Sequence, residues 1–110
     1  MSTYFGYLYR DASNYKVWNE EILGGFLTKE QKQDIISTLE DGEFFIPEQV
    51  GLPVNRGDEY TEDDHCFCEM IIEDIKDTDK TPTIEMTAEE LYENFMKTGG
   101  KWNTSIVEWW

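Results

Sequence analysis

Near the start of the chain, aromatic side chains recur at every second position. This period of two covers residues 3–9 and is typical of a strand with one buried face. Residues 10–14 follow and are rich in Asp, Ser and Asn, whose short side chains bond to nearby backbone, so they predict a loop. A second strand over residues 15–22 completes a β-hairpin that Gly24 and Gly25 close. The aromatic face of the first strand comprises Phe5, Tyr7 and Tyr9.

A helix is predicted after this hairpin. Thr28 followed three residues later by Gln31 matches a capping box, in which each residue satisfies a backbone N–H of the other. The helix should run over residues 29–40, with Gly42 beyond its end as a left-handed residue. Its expected buried stripe is Ile35, Ile36 and Leu39.

The chain carries the same signals again near its end. Thr87 and Glu90 form a second capping box, and Met86 is expected to pack on Leu91 across it. The glycine pair that begins at Gly99 ends this second helix. Its buried stripe should comprise Ala88, Leu91, Tyr92, Phe95 and Met96, while the outward positions are Glu89, Glu90 and Glu93.

Between the helices the pattern changes twice. Residues 42–54 begin as a short apolar strand, but Pro47 and Pro53 remove backbone donors and end it early. Residues 55–64 then predict an acidic loop, and residues 65–75 return to strand alternation. The expected core-facing side chains of that strand are Cys66, Cys68, Met70 and Ile72. The opposite parity holds His65, Phe67, Glu69, Ile71 and Glu73.

Together these elements predict one α+β domain over residues 1–110. A small, mostly antiparallel sheet of about three to four strands would pack against two amphipathic helices. Residues 101–110 fit either a further short strand or a docked tail. The chain has no apolar run of the roughly 18 residues that a membrane span requires, and its two cysteines are expected to be reduced thiols. We therefore expect a cytoplasmic protein.

Charge adds a class of partner to this picture. The net charge is −15, and residues 40–95 hold 18 of the 24 acidic side chains. Such a field repels nucleic acid and anionic lipid and speeds encounter with basic proteins. It therefore predicts a basic partner, with neither direct nucleic-acid binding nor membrane binding. Solubility is the alternative explanation for the charge, and the sequence does not determine the oligomeric state.

The carboxylates on the predicted elements suggest a surface that imitates a polyanion such as nucleic acid. Aromatic side chains near them would supply binding energy that charge lacks. Trp109 and Trp110 could equally fold back onto the core. The predicted partner-binding residues are Asp58, Glu59, Tyr60, Glu62, Asp63, Asp64, Glu69, Glu73, Glu89, Glu90, Glu93, Trp109 and Trp110.

Two other functions have less support from the sequence. A zinc-binding module could use His65, Cys66 and Cys68, but no second Cys or His pair exists elsewhere in the chain. A small hydrolase would depend on a carboxylate pair or on His65, and the sequence has no phosphate-binding glycine loop or nucleophile elbow. We therefore favour a non-enzymatic function and expect no cofactor.

Three segments carry a resemblance to known proteins. Residues 9–18, 41–53 and 63–69 read YRDASNYKVW, DGEFFIPEQVGLP and DDHCFCE. They resemble a family of small acidic proteins of bacteria and their mobile elements that has no established activity. The last motif of that family is more often DHCWHE, so Phe67 and Cys68 depart from it and weaken a shared histidine-based metal site. A mobile-element setting would suit an inhibitor of host defence.

Overall fold

The computed structural model describes residues 1–10, 16–55, 67–99 and 101–102. Along the chain their elements are β1 Ser2–Arg10, β2 Lys16–Gly24, α1 Lys29–Thr38, β3 Phe44–Phe45, the 3-10 turn Pro47–Val50, β4 Cys68–Thr78 and α2 Ala88–Thr98. The strands form one antiparallel sheet in the order β2-β1-β4-β3. Both helices contribute to the core on one face of this sheet. The predicted α+β fold is therefore confirmed.

Strands β1 and β2 form the predicted hairpin. They pair from Ser2 opposite Gly24 to Arg10 opposite Lys16. Phe5, Tyr7 and Tyr9 of β1 point to the helix-covered face, where they are fully buried in the core. The opposite face, which we call the back face, carries the alternate side chains of β1. These are Ser2, Tyr4, Leu8 and Arg10.

Both helices begin at the predicted capping boxes. The Gln31 backbone N–H donates to Thr28 Oγ1 at 3.0 Å, and the Thr28 N–H donates to Gln31 Oε1 at 2.9 Å. The Glu90 N–H donates to Thr87 Oγ1, and the Thr87 N–H donates to Glu90 Oε1, both at 3.1 Å. Gly99 ends α2 in the predicted left-handed conformation, with φ 48°. Local sequence therefore determines where these helices begin.

Helix α1 ends at Thr38, two residues earlier than predicted. The chain leaves the helix there because Glu40 pairs with Phe44. The Glu40 N–H donates to the Phe44 carbonyl at 2.8 Å, and the Phe44 N–H donates to the Glu40 carbonyl at 2.9 Å. Gly42 does adopt a positive φ of 72°, but it does so within this turn rather than directly after the helix.

The α2 stripe is narrower than predicted. Ala88, Leu91 and Phe95 are fully buried, whereas Met96 is 36% exposed. Met96 follows Phe95 directly, and each step along a helix turns the side chain by about 100°. It therefore lies at the margin of the buried stripe.

Trp102 extends the core beyond α2. Its indole N–H donates to the Thr38 carbonyl at 2.9 Å. Its ring contacts Phe45 and Phe95 edge-on, with centroids 6.4 and 6.0 Å away. The chain therefore docks at this residue, while residues 103–110 lie outside the described residues.

Strand β4 is interrupted by a bulge. Tyr7 pairs with Met70 and Phe5 pairs with Ile75, so residues 71–74 lie opposite the single residue Gly6. A Cβ atom on Gly6 would lie only 2.8 Å from the Asp74 Cβ. The lack of a side chain at this position therefore gives the bulge its room.

The bulge changes which β4 side chains reach the core. Cys68 and Met70 are buried, as the predicted alternation requires. Ile72, predicted for the same face, is instead 41% exposed, and Ile75 is buried in its place. A simple period of two is wrong here because the extra residues of a bulge shift the parity.

The described helices are short. Helix α1 has 10 residues and α2 has 11, whereas a helix that spans a bilayer needs about 20 predominantly apolar residues. Within the described ranges, neither helix is suited to cross a membrane.

Candidate interaction surface

The predicted site residues fall into two groups. Six lie within the described residues: Cys68, Glu69, Glu73, Glu89, Glu90 and Glu93. The other ten lie outside them: Asp58, Glu59, Tyr60, Glu62, Asp63, Asp64, His65, Cys66, Trp109 and Trp110. The acidic loop and the terminal tryptophans therefore stay predictions.

Glu69 and Glu73 lie in different parts of β4. Glu69 belongs to the regular ladder opposite Leu8, and its Oε2 lies 3.1 Å from Arg10 Nε. Glu73 belongs to the bulge at residues 71–74 and is exposed. The bulge prevents the two carboxylates from forming the continuous row that a straight strand would give.

The three predicted glutamates of α2 are all exposed. Glu90 takes part in the capping box, and Glu89 lies beside it in the first turn. Carboxylates there interact favourably with the positive end of the helix dipole, as Lys97 does with the negative end in the last turn. Part of this charge therefore stabilises the helix, and Glu93 lies beyond the first turn.

Negative charge dominates the described surface. These residues include 17 Asp and Glu and eight Lys and Arg, and every one of the 17 acidic residues is exposed or half-buried. Between described residues, one ion pair joins Arg10 to Glu69. Most carboxylates of this surface are therefore not neutralised by the described Lys and Arg side chains.

Of the three residues predicted to bind zinc, Cys68 lies within the described residues. Cys68 is 1% exposed within the hydrophobic core. Across the described ranges, no three His, Cys, Asp or Glu side chains are grouped as metal ligands would be. His65 and Cys66 lie outside those ranges.

The outer edge of the sheet at β3 is closed. This strand has two residues, and Pro47 begins the 3-10 turn soon after it. The outward backbone groups of Phe44 are both bonded to Glu40, as described above. The edge at β3 therefore offers little backbone for another chain to pair with.

The opposite edge, at β2, is closed over part of its nine residues. The Ile22 N–H donates to Thr83 Oγ1 at 2.8 Å, and the Thr83 N–H donates to the Ile22 carbonyl at 2.8 Å. These bonds show that the backbone groups of Ile22 point away from β1. Outward-pointing residues alternate along an antiparallel strand, so Trp18 and Glu20 also present their backbone groups to this edge.

No hydrogen bond to a described residue covers those groups of Trp18 and Glu20. We call residues 18–20 the open segment. Trp18 is 63% exposed and shares the back face with its pairing partner Leu8. The sequence prediction missed this site, although a tryptophan among the charged residues of a predicted strand is a usable signal for it.

A cleft of about 250 Å³ lies beside the open segment. Its floor includes Tyr7, whose hydroxyl donates to the Pro53 carbonyl. Asn19 fixes the position of Asn55, which also lines the cleft. The Asn19 Oδ1 accepts from the Asn55 N–H at 2.7 Å, and the Asn19 Nδ2 donates to the Asn55 carbonyl at 3.0 Å. Glu20 and Glu21 line the same cleft. The site thus combines backbone groups that no described residue pairs, an aromatic side chain and two carboxylates.

Glu21 is half-buried in this cleft. It accepts a long hydrogen bond of 3.4 Å from the Thr83 hydroxyl. Burial, followed by the negative charge of Glu21, raises the pKa of Tyr7. Among the described residues, no Lys or Arg lies within ion-pair distance of Glu21, so its carboxylate can accept a cation from another molecule.

A larger cleft, of about 420 Å³, lies where the two helices begin. Phe26, Gln31, Thr87 and Glu89 line it. Gln31 and Thr87 already bond within the capping boxes. The polar side chains of Gln31 and Thr87 in this cleft therefore already have partners within the chain.

Comparison with protein-family models, curated proteins and solved structures finds no match to this chain. The geometry of the described residues therefore carries the functional argument.

Proposed function

We propose that this protein is a non-enzymatic acidic binding protein that engages a basic, nucleic-acid-binding protein and competes with nucleic acid for it. A component of host defence would be one such partner. The observation that supports the proposal is the described surface, on which 17 acidic and eight basic residues share a single ion pair.

Proteins that bind nucleic acid present Lys and Arg to a regular array of phosphates. A folded surface of carboxylates can bind the same Lys and Arg side chains. Self-repulsion among those carboxylates costs free energy in the isolated protein, and a basic partner would relieve it. The attraction should therefore weaken as salt screens it, over a Debye length of about 8–10 Å at physiological ionic strength.

The adjacent carboxylates beside β2 do not favour a hydrolase. Neighbouring residues of a strand project to opposite faces, so Glu20 and Glu21 do not converge on one reacting bond. Glu20 interacts with the Tyr4 hydroxyl and raises its pKa, whereas Glu21 lies near Tyr7 and Thr83. This arrangement is better suited to binding on both sides of a strand than to acid–base catalysis.

The test is a pull-down from the protein's native cells at low salt, followed by competition between the captured protein and labelled duplex DNA. We expect capture of a basic DNA-binding protein that salt reverses and that DNA opposes. Polyglutamate of equal net charge serves as the control and should compete more weakly, because it lacks the folded surface. Absence of salt-sensitive capture, or equal competition by polyglutamate, would contradict the proposal.

A further inference from the structure

We infer that the open segment of β2, residues 18–20, is the docking site for an extended basic segment of the partner, which adds to the sheet as a further strand. This inference rests on the proposed function and specifies where and how the partner binds. It combines the backbone groups of Trp18 and Glu20, with which no described residue pairs, the exposed indole of Trp18, and the carboxylates that border the neighbouring cleft.

The backbone supplies the first part of the site. Trp18 and Glu20 point their N–H and carbonyl groups outward, and no described residue bonds to them. An added strand uses such groups for affinity. The same edge already binds a segment of this chain, since Ile22 exchanges two hydrogen bonds with Thr83. A polypeptide segment can therefore approach β2 closely enough to pair with it.

Side chains on the two faces supply the second part. Successive residues of an added strand alternate between the faces of the sheet. On the back face they would meet the indole of Trp18, which is 63% exposed and can stack with a cationic side chain. On the other face they would meet the cleft and the half-buried Glu21.

Charge determines which kind of segment fits. Glu20 and Glu21 both border the cleft, and their side chains project to opposite faces of the strand, so Lys or Arg on either face of the incoming strand would be attracted to this edge. A second copy of this chain carries the same net charge of −15, so it would instead be repelled from this edge. A basic segment from another protein is therefore the occupant that the site favours.

Two synthetic peptides test the backbone part. The probe is a labelled, end-capped peptide of alternating Lys and Thr, about ten residues long, which matches an ordinary strand. The control has the same sequence with N-methyl groups on every internal residue, which removes the donors from both edges of the peptide but keeps the charge. We expect fluorescence anisotropy to show binding that weakens about tenfold or more with the methylated peptide, since two or more hydrogen bonds are lost.

Two double variants with equal charge changes test the location. Glu20→Gln with Glu21→Gln removes two charges at the cleft, and Glu89→Gln with Glu93→Gln removes two charges on α2 while leaving the capping box intact. We expect about tenfold weaker peptide binding for the first and about twofold or less for the second, because screening limits distant charges. Urea midpoints check that both variants are folded.

Equal binding of both peptides would overturn the inference, as would equal losses from the two double variants. A dimer of the protein that the Lys–Thr peptide dissociates would also overturn it, because the site would then belong to a second copy. If these tests fail while salt-sensitive competition with DNA persists, the proposed function stands without this docking site. If the peptide docks as expected but competition with DNA is absent, the proposed function fails instead.

Discussion

The two edges of the sheet satisfy their backbone groups differently. At β3 the chain uses a two-residue strand, a proline soon after it, and a turn in which Glu40 covers Phe44. At β2 the strand has nine residues, and Thr83 covers the backbone groups of Ile22 by hydrogen bonding to them. Residues 18–20 receive no such cover from the described residues. The difference shows that this fold can close an edge with local chain, and that none of the described residues does so beside Trp18.

Charge explains how an open edge can be tolerated. Charged side chains on edge strands discourage association between identical copies, and β2 carries Lys16, Glu20 and Glu21. The two carboxylates beside the cleft repel another acidic copy but attract a basic segment. The same residues can therefore prevent self-association and select a partner.

The largest predicted effect concerns the closed edge. Phe45 is fully buried, and its ring lies 5.6 Å from that of Phe95 and 5.8 Å from that of Tyr7. Phe45→Ala should lower the free energy of unfolding by about 3–5 kcal/mol, because the lost ring leaves a cavity. Phe26→Ala, at a ring that is 42% exposed, should cost far less. Urea unfolding measures both, and equal losses would contradict the packing of β3.

The bulge that separates the two halves of β4 provides the next test. In Gly6→Ala the new methyl group would meet the Asp74 Cβ at 2.8 Å, and we expect a loss of about 1–3 kcal/mol from overpacking. Gly24→Ala is the matched control in the same sheet, since the nearest heavy atom to its Cβ is Pro82 Cγ at 3.8 Å. Urea midpoints that shift equally would show that Gly6 does not accommodate the bulge.

A smaller effect should follow from uncovering the closed part of β2. Thr83→Val removes the hydroxyl that accepts from the Ile22 N–H at 2.8 Å. We expect a loss of about 0.5–1.5 kcal/mol, the net value of one hydrogen bond, and faster amide exchange at Ile22. Thr81→Val, at an exposed threonine in the same loop, is the control. Unchanged exchange at Ile22 would show that Thr83 does not close this part of the edge.

The smallest effect is expected in alkaline solution. The hydrogen bond to Glu20, with lesser effects of burial and nearby carboxylates, raises the pKa of Tyr4 to about 12, whereas an unfolded-chain tyrosine has a pKa of about 10. The stability that Tyr4 contributes is therefore fully present below about pH 10 and is lost as the pH rises through about 12. In Tyr4→Phe, urea midpoints should fall less between about pH 9 and 11 than in the unsubstituted protein. Tyr7 contributes equally to both proteins, so identical falls would contradict this role of Tyr4.

Local sequence predicted the elements of the fold better than their edges. The capping boxes at Thr28 and Thr87 depend on residues three positions apart, so the sequence contains the whole motif. The bulge in β4 depends on contact with Gly6 of another strand, and local alternation therefore placed Ile72 on the wrong face. Contacts between distant segments explain why the bulge was missed.

The candidate docking site was missed for a related reason. Charge directed the prediction to the most acidic segments, and it did not distinguish Glu90, which caps α2, from the glutamates beside an edge that the described residues leave uncovered. The edge depends on strand order, which places β2 outermost, and on the point at which Thr83 stops covering it. Neither property follows from the residues of β2 themselves.

The most direct test of the docking site is to measure amide hydrogen exchange at Trp18 and Glu20 by nuclear magnetic resonance. The measurement is made before and after addition of the Lys–Thr peptide. Both N–H groups should exchange rapidly in the isolated protein, while those of Asn19 and Glu21, which point toward β1, should exchange slowly. The peptide should then slow exchange at Trp18 and Glu20. Protection of both residues in the isolated protein, or continued rapid exchange with the peptide bound, would contradict an open edge that a basic strand completes.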